Sequence, residues 1–214
     1  MKNYSNLNRD QITPQKALDI LIQGNGRFIN NIHHEKDMQQ LRNKLKDKQY
    51  PFASVLGCSD SRVSSEIIFD QNLGDIFSVR LAGNVASTEA IGSLEFSTEH
   101  LGSKIIIVMG HTNCGAIKAA CDNYHGGNIT EIINLINPAV NAEKSVKDDN
   151  LRNSSNNKFV EKVCFLNVQY QIKYLLKQSQ IIKNQVDKKK IGIIGAVYDL
   201  SSGEVIFDTE RACI

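Results

Sequence analysis

The sequence predicts an α/β fold: a mostly parallel central β-sheet of four strands plus a C-terminal antiparallel edge strand, flanked by helices, with an N-terminal helical arm. Three observations carry that reading. Short apolar runs rich in β-branched residues recur at 52–57, 76–81, 104–109 and 191–198, and such runs read as buried strands. Stretches with helical spacing separate them, and strands alternating with helices build a parallel sheet covered on both faces. The last run is followed by Ser201-Ser202-Gly203 and then Val205-Ile206-Phe207, the pattern of a terminal hairpin. At 214 residues the chain suits one domain with a full core, divided into an arm over 1–48 and an α/β core over 49–214.

In chain order, residues 14–33 form an amphipathic helix with Pro14 near its start and Ala17, Leu18, Leu21, Ile22, Phe28 and Ile29 at helical spacing. Gly24 and Gly26 weaken its middle and suggest a bend. A charged helix covers 38–48. Strand 52–57 leads to a short helix over 61–69, and strand 76–81 ends in Ala82-Gly83-Asn84. The helix over 87–101 has Ser87 and Thr88 as candidate caps. Strand 104–109 precedes a helix over 113–121. Two more helices, 128–148 and 158–178, flank a polar loop before the fourth strand.

Composition narrows the function classes. A net charge of +2, with charged residues at 22%, provides no strong field for nucleic acid or a membrane surface. No apolar stretch reaches spanning length, and the polar start Met1-Lys2-Asn3-Tyr4-Ser5-Asn6 lacks a secretory core, so the expected location is cytoplasmic. Five cysteines are an odd count for a disulfide framework, which favours metal or thiol chemistry. Cys121, Cys164 and Cys213 read as structural. Cys58 and Cys114 sit at strand ends beside polar residues.

Those strand ends are the candidate site. Cys58-Ser59-Asp60-Ser61-Arg62 follows one buried run, and His111-Thr112-Asn113-Cys114 follows another. Reactive groups gather beyond the carboxyl ends of strands in an open parallel sheet. The two thiols and the imidazole therefore meet at one edge, and Cys2His with an open fourth position is the ligand set of a catalytic zinc ion. The helix amino end favours a thiolate at Cys114. Asp60 and Arg62 read either as a surface ion pair of little consequence or as a bidentate pair in which Arg62 orients Asp60 toward a zinc-bound hydroxide. Their place two residues from a ligand favours the second reading.

Cys58-x-Asp60-x-Arg62 with His111-x-x-Cys114-Gly115 resembles the signature of the β-class carbonic anhydrases. The segments Ile68-Phe69-Asp70-Gln71-Asn72-Leu73-Gly74-Asp75, Arg80-Leu81-Ala82-Gly83-Asn84 and Gly92-Ser93-Leu94-Glu95-Phe96 agree, and the likeness extends from Leu21-Ile22-Gln23-Gly24-Asn25-x-Arg27-Phe28 to the hairpin. The resemblance implies zinc on Cys58, His111 and Cys114, with Asp60 as fourth ligand or as partner of zinc-bound water. It implies reversible hydration of carbon dioxide to bicarbonate, with zinc-bound hydroxide as nucleophile. Phe77, Ala82 and Phe96 would line the apolar pocket, Phe96 from a partner subunit. Gln49 and the Gly115 N–H would bind substrate. One group of the family switches Asp60 onto zinc at lower pH and carries a tryptophan at the position of Val55; its absence here favours the site that stays open. The amino-terminal helix would reach over a neighbouring subunit in a homodimer or a tetramer of dimers, with active sites at the dimer interface.

Phe96 stands where tyrosine is common, which leaves His33, His34, His100 and His125 as conceivable proton shuttles, each of which reads first as a surface or helix histidine. The rival readings are a hydrolase of carbonyl sulfide or carbon disulfide and a non-catalytic zinc-binding or thiol-sensing module. A nucleotide-binding domain is disfavoured, because no G-x-G-x-x-G or Walker sequence follows any strand.

Overall fold

The buried runs assemble into one five-stranded sheet in the computed structural model, which describes residues 11–33 and 37–214. The polar start of the chain and His34 lie outside the described residues. Strands β1 (Ala53–Gly57), β2 (Ile76–Arg80), β3 (Ile105–His111), β4 (Gly192–Tyr198) and β5 (Val205–Phe207) run in the order β2-β1-β3-β4-β5. The first four are parallel and β5 is antiparallel to β4. β1 and β3 are buried along their whole length, which is why they read as unbroken apolar runs rather than alternating ones.

Side chains leave β3 on alternate faces, and each face has its own cover. Ile105, Ile107 and Met109 pack with Ala17, Leu18, Ile20 and Leu21 of α1 (Pro14–Ile29). Ile106 and Val108 pack with α4 (Thr88–Glu99), α7 (Asn157–Gln178) and α8 (Gln180–Asp187) through Leu94, Val168, Leu175 and Ile182. A third apolar group closes the carboxyl ends of the strands. There α5 (Gly115–Cys121), α6 (Ile129–Ala142) and α7 bring Ile117, Ile133, Ile136, Phe159 and Val163 against Cys58 and Cys114. Two short helices, α2 (Met38–Leu45) and α3 (Ser65–Ile68), complete the order.

α1 belongs to the core of its own chain, whereas α2 buries none of its residues. Gly24 does not break α1. Its missing side chain lets the helix lie against the Phe69 carbonyl, since a Cβ would stand 1.8 Å from that oxygen. The neighbouring Asn25 fixes the contact, donating to the Ile68 carbonyl at 3.2 Å and the Gly203 carbonyl at 2.9 Å, and accepting the Val205 N–H at 2.9 Å.

Ser87 caps α4 by accepting the Ala90 N–H, as expected. Other boundaries shift for local reasons. α3 begins only at Ser65 because Asp60 holds the preceding turn, and α6 stops at Ala142 because Glu143 leaves the helix. The Glu143 carboxylate accepts the Ser145 hydroxyl, the Ser145 N–H at 3.0 Å and the Val146 N–H at 3.2 Å. α8 has no counterpart in the sequence reading.

Candidate metal centre

β1 and β3 are neighbours in register, Gly57 opposite Met109, so the residues that follow them emerge side by side. Cys58 lies one residue beyond β1, and His111 closes β3 opposite Tyr198 of β4. Asn113 takes a left-handed φ of 56°, which turns the chain so that Cys114 becomes the N-cap of α5. The result brings Cys58 Sγ, a His111 ring nitrogen and Cys114 Sγ within 4.8 Å of one another, all buried. The two sulfurs stand 3.9 Å apart.

The imidazole is oriented for ligation. His111 Nδ1 lies 2.9 Å from the Thr112 carbonyl, which only accepts, so Nδ1 carries the proton and Nε2 presents a lone pair. Thr112 is itself locked, donating its N–H to the Tyr198 carbonyl at 3.0 Å and accepting the Leu200 N–H on its hydroxyl at 3.0 Å. His111 Nε2 is buried without a hydrogen-bond partner, a costly arrangement unless something else meets it. Two thiols and an aimed imidazole nitrogen suit a zinc-class ion, with the carbonyl behind Nδ1 supplying the usual outer contact.

The two thiols are in hydrogen-bond contact. Cys58 is pulled down to about 4, first by the hydrogen bond from Cys114 and then by the Asp60 and Gly83 main-chain N–H groups, against its own burial. Cys114 is pushed up as the donor in that pair and by burial, which outweighs the helix terminus. Cys164 stays outside the group. Burial pushes its thiol up to about 12, and it donates to the His111 carbonyl at 3.3 Å. Cys121 is buried and likewise raised to about 12, while Cys213 is exposed.

Asp60 sits at the mouth of the centre, and its side chain is engaged by Arg62 on both oxygens. Arg62 Nε donates to Oδ1 at 2.9 Å and Nη2 to Oδ2 at 2.7 Å, while the Arg62 main-chain N–H reaches Oδ1 at 3.0 Å. These bonds hold the carboxyl well below the usual carboxylate range, burial opposing. Oδ2 also lies 3.9 Å from His111 Nε2, yet the Cys58–His111–Cys114 group does not include Asp60. The sequence reading had assigned no role to Arg80. It secures the loop by donating to the Cys58 carbonyl at 3.0 Å and the Asp60 carbonyl at 2.6 Å.

The carbonic anhydrase family model matches residues 53–205, a span that contains every residue of this centre. The chain belongs to the β-carbonic anhydrase family. It is 32% identical over 199 residues to carbonic anhydrase 2 of Mycobacterium tuberculosis, an alignment covering 90% of this chain and 92% of the relative. It is 37% identical over 134 residues to a carbonic anhydrase of Mycolicibacterium smegmatis, covering 59% and 65%. The fold resembles that of a Coccomyxa β-carbonic anhydrase solved with acetazolamide, at a TM-score of 0.67 and 24% identity over 97% of this chain and 87% of that one. A tetrameric β-carbonic anhydrase of Sordaria macrospora superposes at a TM-score of 0.67 and 24% identity, covering 80% and 88%. Hydration of carbon dioxide is the general activity of the family.

Against that family frame, the remaining site candidates spread across the chain. Ala82 lies beside the centre, next to Gly83, whose N–H reaches Cys58 Sγ at 3.4 Å. Gly115 is exposed as the first residue of α5. Phe77 is opposite Ser54, three residues before the end of β2 and hence about 10 Å short of it. It packs on the α4, α7 and α8 side of the sheet. Phe96 is 49% exposed on α4, its ring 5.4 Å from that of His100. Gln49 is exposed on an open groove of about 400 Å³ with Arg42, Leu45, Lys46, Glu66 and Leu73. His33 lies 3.2 Å from the Asn31 side chain, and His125 is exposed. Among the described residues no helix is long and apolar enough to cross a membrane.

Proposed function

We propose that this chain is a zinc enzyme that hydrates carbon dioxide reversibly to bicarbonate and a proton, with Cys58, His111 and Cys114 holding the ion. The observation that carries the reading is the buried thiol–imidazole–thiol group with His111 Nε2 left without a protein partner. When bound, zinc supplies Lewis acidity that brings the pKa of water toward neutrality.

The chain's own residues supply orientation and dryness. Asp60 accepts a hydrogen bond from the reacting water and thereby aims its lone pair at the carbon of the substrate. Arg62 keeps that carboxylate ionised and fixed on both oxygens. A carboxyl so acidic orients water and does not store the released proton, which passes to buffer. Ala82 contributes to the apolar wall, and by family likeness Phe77 and the partner subunit's Phe96 complete it. Gln49 and the Gly115 N–H would then meet the oxygens of bicarbonate. The absence of tryptophan and the formed Asp60–Arg62 pair support the site that stays open.

A homodimer, alone or within a tetramer of dimers, fits the exposed Ile22 and Ile29 of α1, Ile32 after it, and Met38 on an α2 that buries nothing. Five free cysteines support a cytoplasmic setting. Stopped-flow hydration of carbon dioxide by the zinc-loaded chain tests the proposal. Turnover abolished by chelation and restored by zinc is the expected result. A fully loaded chain with no turnover overturns it, and turnover of carbonyl sulfide alone assigns the neighbouring reaction instead.

A further inference from the structure

The turn after β2 is held from behind by two buried carboxamides, and we propose that Asn167 and Gln171 position the metal ligand Cys58 through the Gly83 peptide. The inference rests on the reading of Cys58 as a metal ligand. Both residues lie one turn apart on α7 and have no exposed surface. Asn167 Nδ2 donates to the Gly83 carbonyl at 2.9 Å. Gln171 Nε2 donates to Asn167 Oδ1 and to the Leu135 carbonyl, each at 2.9 Å. Gln171 Oε1 accepts the Ala86 N–H at 2.9 Å. The pair thus grips the turn at Gly83 and at Ala86, and Gly83 passes its own N–H to Cys58 Sγ at 3.4 Å.

Two features set this apart from ordinary packing. Amides buried among Val163, Val168 and Leu175 cost free energy unless paired, and here they are paired with the backbone that supports a ligand. The turn also needs an external hold. Gly83 at φ 69° and Asn84 at φ 47° are two successive left-handed residues, whereas Gly and Asn ordinarily visit that region singly. The N–H donated to sulfur draws off electron density and fixes the direction of the ligand. The amide atoms are engaged with the Gly83 and Leu135 carbonyls, the Ala86 N–H and each other, so both are positioning residues.

The test loads zinc-free protein with cobalt(II). Thiolate-to-cobalt absorption reports the electron density of the sulfurs, and competition with a chelator reports affinity. Asn167→Leu removes the donor to Gly83. It should weaken cobalt binding by about tenfold or more and move the absorption to lower energy, since a sulfur without its N–H donor yields electrons more readily. Gln171→Met leaves that donor in place and should shift both readings less, in the same direction. Ile182→Ala, a cavity on α8 outside the relay and away from the ligands, should lower Tm and leave both readings at their wild-type values. A folded Asn167→Leu protein with wild-type affinity and absorption overturns the proposal, as does an Ile182→Ala protein shifted equally. Should Asn167→Leu fail to fold, an unshifted Gln171→Met protein overturns it. A wild-type chain that binds no cobalt at all removes the metal-centre reading and this inference together, whereas the earlier failures leave the wild-type centre intact.

Discussion

Replacing Asp60 with Asn takes one charge from the mouth of the centre while keeping its shape. Asp60 now receives three hydrogen bonds from Arg62, at 3.0, 2.9 and 2.7 Å. Asn keeps one oxygen for two of them and turns its NH2 against Arg62 Nη2, donor against donor. The Arg62 side chain is 56% exposed, so solvent screening limits the stability loss to about 1 kcal/mol and the fold survives. Activity has more to lose. A positioned side chain that handles a proton in the transition state contributes roughly 10²–10⁴-fold, so kcat/KM should fall by about 100-fold or more. Metal content should not change, because the carboxylate lies outside the Cys58–His111–Cys114 group. Stopped-flow hydration with a pH indicator measures the rate, atomic absorption the metal, and circular dichroism the Tm. A loss smaller than about tenfold with metal intact refutes the orienting role. Metal lost in proportion to activity makes Asp60 a ligand instead.

Three further outcomes are expected. Cys58→Ser and His111→Ala should each lose zinc on dialysis against a mild chelator, while Cys164→Ala, whose thiol donates to the His111 carbonyl and offers no ligand to the group, should retain it. Equal loss in all three contradicts the ligand assignment. The folded pKa of Asp60 is depressed by Arg62, so its stabilisation is fully present above the unfolded value of about 4 and is lost as pH falls through the folded one. The difference in urea midpoint between wild type and Asp60→Asn should therefore hold constant from pH 7 to pH 5 and shrink only in stronger acid; a collapse within that range counts against the pair. Gly24→Ala, which would ordinarily favour a helix by up to about 1 kcal/mol, should instead cost about 1–3 kcal/mol, because its Cβ would meet the Phe69 carbonyl at 1.8 Å. That lowers Tm by about 2–4 °C per kcal/mol, and any rise refutes the close approach.

The central strands were legible because both their faces are covered, which leaves Ile105 to Met109 without a polar residue. The proximity of His111 and Cys114 was legible because a strand end and a helix start put both on one side. What remained hidden depended on contacts between distant segments. Arg80 carries no local sign of its role, which arises only because register sets it opposite Gly57. Asn167 and Gln171 look like ordinary polar positions on a helix until α7 lies across the β2 turn. The apolar face of α1 was readable as one that packs on its own domain, and Ala17, Leu18, Ile20 and Leu21 lie on the chain's own sheet. α8 is eight residues long and buries a single one, Ile182, too short a run to stand apart from the helix before it; a sequence mark of its start was Ser179, whose hydroxyl accepts the Ile182 N–H at 3.1 Å.

The pairing of His111 with Tyr198 carries a consequence for synthesis of the chain. Both cysteines and the histidine have left the ribosome long before β4 is translated, yet the wall behind Thr112 is made of Tyr198 and Leu200. A nascent chain that has not yet made those residues would hold β1 and β3 in register but lack the contacts that lock Thr112 behind the His111 ring. On the proposed reading of the centre, the imidazole is therefore fully aimed only once β4 and the turn after it are in place.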